Sequence, residues 1–142
     1  MTPEDLADVA RLSGELGYPL DSAEARQRFD TLSPRKHGLF VAEESSQVVG
    51  WIHVSAEETL TDEPKTLIDA LIVAASARSR GIGRLLVGEA EAWAAARGHQ
   101  MLRVRTRVTR ERAHSFYRRA GFALDKTQHV FDKNLGDGSD TS

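Results

Sequence analysis

Arg78-Ser79-Arg80-Gly81-Ile82-Gly83 is the stretch on which the reading of this sequence turns. The apolar run Leu67-Ile68-Asp69-Ala70-Leu71-Ile72-Val73 precedes it after a short link. A segment with Ile82, Leu85, Leu86, Ala90 and Trp93 on one stripe follows it, up to Gly98. Together they predict a central strand, a tight turn and a helix over 83–96. The first turn of a helix leaves backbone N–H groups without intrahelical acceptors, and its dipole puts partial positive charge there. Glycines let the backbone approach an anion closely, and Arg78, Arg80 and Arg84 add full charges, so the turn suits phosphate or pyrophosphate. A turn that needs glycine for its backbone angles alone fits the same residues. There is no Gly-x-x-x-x-Gly-Lys-Ser/Thr. Leu86 stands where a third Gly would complete Gly-x-Gly-x-x-Gly, so P-loop and Rossmann readings fail.

Upstream, residues 4–16 have apolar residues at helical spacing, with Thr2 as N-cap, Pro3 at the first position and Gly17 as the stop. A second helix is expected from Asp21 or Ser22 to about Leu32, ahead of Pro34. Residues 39–43 and 48–54 read as a hairpin about Ser45-Ser46-Gln47, and 59–65 as a loop containing Pro64. Downstream, 101–106 reads as a strand, 111–119 as a helix ended at Gly121, and 130–133 as part of a last strand. The expected fold class is α/β, a three-layer arrangement with a mixed, mostly antiparallel sheet and about four helices. Residues 1–135 are expected to form a single domain and 136–142 a disordered tail.

The chain has 142 residues, no cysteine, and a net charge of −2 that is unevenly spread. Residues 1–70 carry fourteen acids against six Lys or Arg; residues 71–119 carry eleven Arg against three Glu. Exposed elements carrying solubilising charge would give this, as would a site with a basic half for an anionic cofactor and an acidic half for a cationic substrate. A nucleic-acid binder is more often basic overall, and no apolar run approaches the ~20 residues that cross a bilayer. Neither partner is expected. No signal peptide is visible, so the expected location is the cytoplasm. His53, His114 and His129 show no ligand spacing, and no metal is expected. Trp51 and Trp93 suit a core or a groove wall.

The stretch 68–73, then Arg78-x-x-Gly81-x-Gly83, then Arg84-Leu85-Leu86, resembles the acetyl-CoA motif of the GNAT superfamily of N-acetyltransferases. Ala113-His-Ser-Phe116-Tyr117-Arg-Arg-Ala-Gly121-Phe122 resembles that family's second signature, Ala-x-x-Phe-Tyr-x-x-x-Gly-Phe. Two departures stand out. The family usually has a strand ahead of its first helix, so this edge strand is expected to be shortened or lacking. Arg110 stands where the second signature commonly has Asn.

The resemblance implies acetyl-CoA as cosubstrate and direct transfer of its acetyl group to an amine through a tetrahedral intermediate. It implies Tyr117 as the acid that re-protonates the leaving thiolate, in keeping with a phenol of pKa about 10. The alternative for Tyr117 is packing beside Phe116. Asp69 is the named candidate for base, with a salt bridge to a nearby Arg as its other reading. Backbone of Leu71, Ile72 and Val73 is expected along the pantetheine arm, and Arg78, Ser79, Arg80, Gly81, Ile82, Gly83 and Arg84 at the pyrophosphate. Arg103, Arg105 and Arg107 either edge the cofactor channel or form a solvated strand face. Glu43, Glu57 and Glu58 are candidates to hold a cationic acceptor. The expected acceptor is the primary amine of a small basic molecule, and a homodimer is among the expected partners. The rival readings are an acyl-CoA-binding regulator without turnover and a nucleotide-binding module of another family.

Overall fold

A computed structural model describes residues 1–105 and 111–136. They fall into two units, Met1–Arg105 and a second beginning at Thr106.

In the first unit, Pro3 opens a 3-10 turn, Pro3–Asp5, and the Asp5 carboxylate accepts from the Thr2 amide at 2.8 Å. Helix α1 (Leu6–Glu15) buries Leu6, Val9, Ala10 and Leu12. Helix α2 (Ser22–Thr31) is capped by Asp21, whose carboxylate accepts from the Glu24 amide at 2.9 Å. Strands β1 (His37–Glu44), β2 (Gln47–Glu57), β3 (Lys65–Val73) and β4 (Leu102–Val104) form a sheet in that order. The first two pairings are antiparallel and the last is parallel. Helix α3 (Ile82–Ala96) lies between β3 and β4 in sequence, as a parallel crossover requires.

The two sheet faces are set by alternation along β2. Trp51 joins Ile72 in a cluster with Val9 and Leu12 of α1. The neighbouring Gly50 faces the other way, where a Cβ would stand 3.2 Å from Ile82 and Leu86 of α3. Three layers result, with α1 and α3 on opposite faces. Both tryptophans are buried. The buried stripe of α3 is Ile82, Leu86, Val87, Ala90, Trp93 and Ala94. Leu85, expected within that stripe, is 70% exposed instead. The side chains at 87 and 94 shift the stripe's centre to the flank away from position 85.

Two residues interrupt the ladders. Ala42 pairs with Gly50 and Glu43 with Val48, so Val49 is an extra residue in β2. His53 pairs with Ala70 and Val54 with Ile68, so Asp69 is an extra residue in β3. Each is a β-bulge, which reverses the inward and outward alternation beyond it. The Val49 carbonyl also accepts from the Ala74 amide at 2.8 Å, tying the exit of β3 to the β2 bulge.

Strand β4 is three residues long, where 101–106 was expected. Among the described residues no strand precedes α1. Met1's ammonium instead donates to the Leu39 carbonyl of β1 at 3.1 Å.

The second unit contains helix α4 (Glu111–Arg119) and, up to residue 136, a segment without regular secondary structure. The strand expected at 130–133 is not formed. Among its described residues this unit has no other strand to pair with, and an unpaired strand leaves its backbone groups unsatisfied. Leu124, Val130, Phe131 and Leu135 are exposed along the segment. Arg107, Arg110 and residues 137–142 of the expected tail lie outside the described residues.

Candidate active site

The turn is built as a backbone device. Ser79 has φ +68° and Gly81 φ +80°, so the chain passes twice through the left-handed region between β3 and α3. Gly81 is the N-cap, and no side chain caps the helix. The first intrahelical bond runs from the Leu85 amide to the Gly81 carbonyl at 3.0 Å. The amides of Ile82, Gly83 and Arg84 therefore lie ahead of the helix's own ladder, at its positive end. Gly50 holds this end close to the sheet, since a Cβ there would also stand 3.1 Å from the Ile72 carbonyl.

Of the arginines expected here, Arg78 is half-buried and Arg84 exposed. Arg80 pairs with Glu44 at 2.9 Å and reaches the Ser76 carbonyl at 3.4 Å. Both partners of that ion pair are well exposed, so its net stabilisation is small and an incoming phosphate can compete for the guanidinium.

Strand β3 pairs with β4 only at Thr66, Leu67 and Ile68. Beyond Ile68 no β4 partner is found among the described residues, and residues 70–73 stay paired to β2. Leu71, Ile72 and Val73 form the end of β3 that leads, through the turn, to the uncapped helix start.

Asp69 is not the enclosed carboxylate that its apolar neighbours suggested. Its side chain is 29% exposed, and its partner is His53, with Nε2 at 3.7 Å from Oδ2, not an arginine. The bulge turns Asp69 onto the sheet face of Ala70 and His53, whereas unbroken alternation from Ala70 would have sent it to the α3 face. His53 Nε2 lies 2.9 Å from His37 Nδ1. Burial holds His53 below the usual value of 6.5; the Asp69 carboxylate opposes that shift and His37 adds to it. Sequence reasoning missed His37, and with it this cluster.

Arg103 and Arg105 both engage one carboxylate, and Arg105 is still half exposed. Arg105 binds Glu57 at 2.8 Å and Arg103 approaches the same carboxylate at 3.6 Å. The Arg105 hydrogen bond holds Glu57 below the usual carboxylate range. Glu57 is thus committed within the sheet, and Glu58 has Lys36 at 3.9 Å. Much of the acidic excess of residues 1–70 is likewise spent locally, with Asp8 and Glu15 on Arg11, Asp30 on Arg26 and Glu24 on Arg28. A basin of about 510 Å³ lined by Arg35, Lys36, Glu58, Arg97 and His99 lies at the far end of α3 from the turn.

In the second unit, Tyr117 packs edge-to-face between Phe116 and Phe122, with centroids at 5.2 and 5.4 Å. Gly121, at φ +99°, ends α4. The Phe122 amide donates to Tyr117 and the Gly121 amide to Arg118, at 2.9 and 3.1 Å. This is a Schellman ending with its hydrophobic contact, and it explains the spacing Phe-Tyr-x-x-x-Gly-Phe without any ligand. The Tyr117 hydroxyl makes no hydrogen bond to the described residues. Burial pushes its pKa up to about 12.

The profile of the acetyltransferase (GNAT) family matches residues 5–122. The chain belongs to that family. Family membership makes it an acetyl-CoA-dependent N-acetyltransferase, and the three-layer fold agrees. The aminoglycoside 6'-N-acetyltransferase AAC(6')-IG of Acinetobacter haemolyticus is 18% identical, with TM-score 0.82 over 95% of this chain and 96% of that one. A candidate acetyltransferase from Agrobacterium tumefaciens is 25% identical, with TM-score 0.82 over 94% and 96%. Aminoglycoside acetyltransferase AAC(6')-Iy, in complex with CoA, is 18% identical, with TM-score 0.81 over 95% and 92%. No curated protein matches the chain. Among the described residues, no helix is long and apolar enough to cross a membrane.

Proposed function

We propose that this acetyltransferase moves the acetyl group of acetyl-CoA to the primary amine of a small basic molecule, by direct attack through a tetrahedral intermediate. The observation that carries the reading is the double passage through left-handed backbone at Ser79 and Gly81 into an uncapped helix start after β3. A pyrophosphate suits such a helix start, and the peptide-like arm of the thioester is assigned to lie with its amides against Leu71, Ile72 and Val73. The pyrophosphate then meets Arg78, Ser79, Arg80, Gly81, Ile82, Gly83 and Arg84.

Asp69 is assigned the base that takes a proton from the acceptor ammonium. Its support is position: a partly open carboxylate on the strand that borders the arm, with His53 as its neighbour. Tyr117 is assigned the proton donor to the departing thiolate. Its burial keeps it protonated at neutral pH and also makes it a weaker acid than a free phenol, poorly matched to a thiol of pKa about 8.5. Its contribution is thus expected to be mainly a hydrogen bond to developing sulfur charge.

Several similar folds carry the names of aminoglycoside N-acetyltransferases, and an aminoglycoside, which bears amino groups, is in keeping with a basic acceptor. We further propose one domain over 1–135, a cytoplasmic setting, and a homodimer in which a second copy covers the exposed Val130 and Phe131. Sedimentation as a monomer at all concentrations overturns that last assignment.

The deciding experiment is a panel of amines with free-thiol release from acetyl-CoA as readout, repeated on Tyr117→Phe. At least one basic amine should drive release, and the variant should lose about 10²-fold or more in kcat with CoA affinity kept. CoA binding without release by any amine would instead favour a regulator that binds acyl-CoA.

A further inference from the structure

Outside the turn, three adjacent strands bring three metal-ligating side chains to one place. His37 comes from β1, His53 from β2 and Asp69 from β3. One donor atom from each lies within 4.8 Å of the other two. His53 Nε2 is central, 2.9 Å from His37 Nδ1 and 3.7 Å from Asp69 Oδ2. A tetrahedral ion held at about 2.0–2.1 Å sets its donors roughly 3.3 Å apart. The two closest spacings bracket that distance, so an ion needs only small rotations of side chains already on one sheet face.

We propose that His37 Nδ1, His53 Nε2 and Asp69 Oδ2 form a binding site for a divalent transition metal of the zinc class, with solvent completing its coordination. Two imidazole nitrogens and one carboxylate are borderline ligands that suit zinc, cobalt, nickel or copper, and suit magnesium or calcium poorly. Placement favours binding over a plain hydrogen-bonded pair. Three rungs of one sheet fix the ligand backbones, which lowers the ordering cost of bringing three donors together. Side-chain exposures of 20% for His53 and 29% for Asp69 leave a path for an ion from water.

The site does not depend on the acceptor assigned above. If Asp69 is the base, however, a bound ion occupies its carboxylate, and the metal then acts as a reversible inhibitor.

The test uses the full chain, without a polyhistidine tag and stripped by chelator. Zinc titration by calorimetry should give one ion per chain, and cobalt(II) should develop visible d–d absorption. His37→Gln and His53→Gln should each weaken zinc by more than about 100-fold, since loss of merely an outer-shell partner already costs 10- to 100-fold. His129→Gln should leave it unchanged. If His53→Gln loses its far-UV circular dichroism, His37→Gln and Asp69→Asn carry the test. Unchanged zinc affinity in the ligand variants, or no cobalt(II) spectrum, overturns the proposal. These readouts are separate from turnover, so failure of the site and failure of the acetyltransfer reading are distinguishable.

Discussion

The amide of Phe122 donates to the carbonyl of Tyr117 at 2.9 Å, so the proposed proton donor is also a structural member of its helix ending. Gly121 makes the reversal at φ +99°, where a side chain is strained whatever the space around it. Gly121→Ala is therefore expected to cost about 1–2 kcal/mol locally and to loosen Tyr117 with the phenol still present. Activity should fall although the proposed proton donor itself is unchanged. Hydrogen exchange of the Phe122 and Gly121 amides checks this, and unaltered protection would count against it.

Burial of Tyr117 makes a second expectation. The chain has two tyrosines, and one titration step should come late, near pH 12. The folded pKa is raised above the unfolded value of about 10, so its contribution is complete below that pH and is lost as pH rises toward 12. Tyr117→Phe should remove the late step in a 295-nm absorbance titration. A late step that survives in the variant would place the buried phenol elsewhere.

Gly38 offers a packing test. A Cβ there would stand 2.6 Å from Nε1 and 2.8 Å from Cδ1 of Trp93. The indole has little room to move, being buried with the Arg97 guanidinium 3.4 Å from its ring centre. Gly38→Ala should destabilise the first unit by about 1–3 kcal/mol, read as a lower urea midpoint and a shifted tryptophan emission. A midpoint equal to wild type would mean that the sheet yields there at no cost.

Glu57 gives a pH test with a definite sign. Its folded pKa is held below its ordinary 4.5 by the Arg105 hydrogen bond and the charges around it. Its contribution is present above pH 4.5 and is lost as pH falls through the folded value. Glu57→Gln should cost about 1 kcal/mol at pH 7, and the gap from wild type should narrow at pH 3–4 in urea melts. A gap of constant size would exclude the carboxylate charge as its cause.

The parts legible in the sequence were those fixed by short-range chemistry. Gly81 and Gly83 before a periodic apolar stripe announced a helix start, and Gly121 announced a helix end; both depend on a few consecutive residues. Asp69 could be placed on β3 but not on a face, because its direction depends on how β2 skips it. His37 is the sharper case. Counting back from the Ser45-Ser46 turn with an unbroken ladder pairs position 37 with 54, which sends His37 and His53 to opposite faces. The extra residue Val49 shifts the register so that Gly38 meets Val54 and Leu39 meets His53, and the two imidazoles come together. Such a shift is set by packing on both sheet faces and by the Ala74–Val49 hydrogen bond, none of which is local. The acid excess was legible only as a total: a count of charges does not tell which are paired within their own helices, as Asp30 is with Arg26 and Glu24 with Arg28.

The two bulges have a consequence for anyone wishing to move this cluster to another protein. Copying the two histidines at their spacing in this sequence onto an unbroken hairpin with the same turn would put them on opposite sides. The transferable unit is the trio together with its two supernumerary positions, Val49 and the aspartate itself.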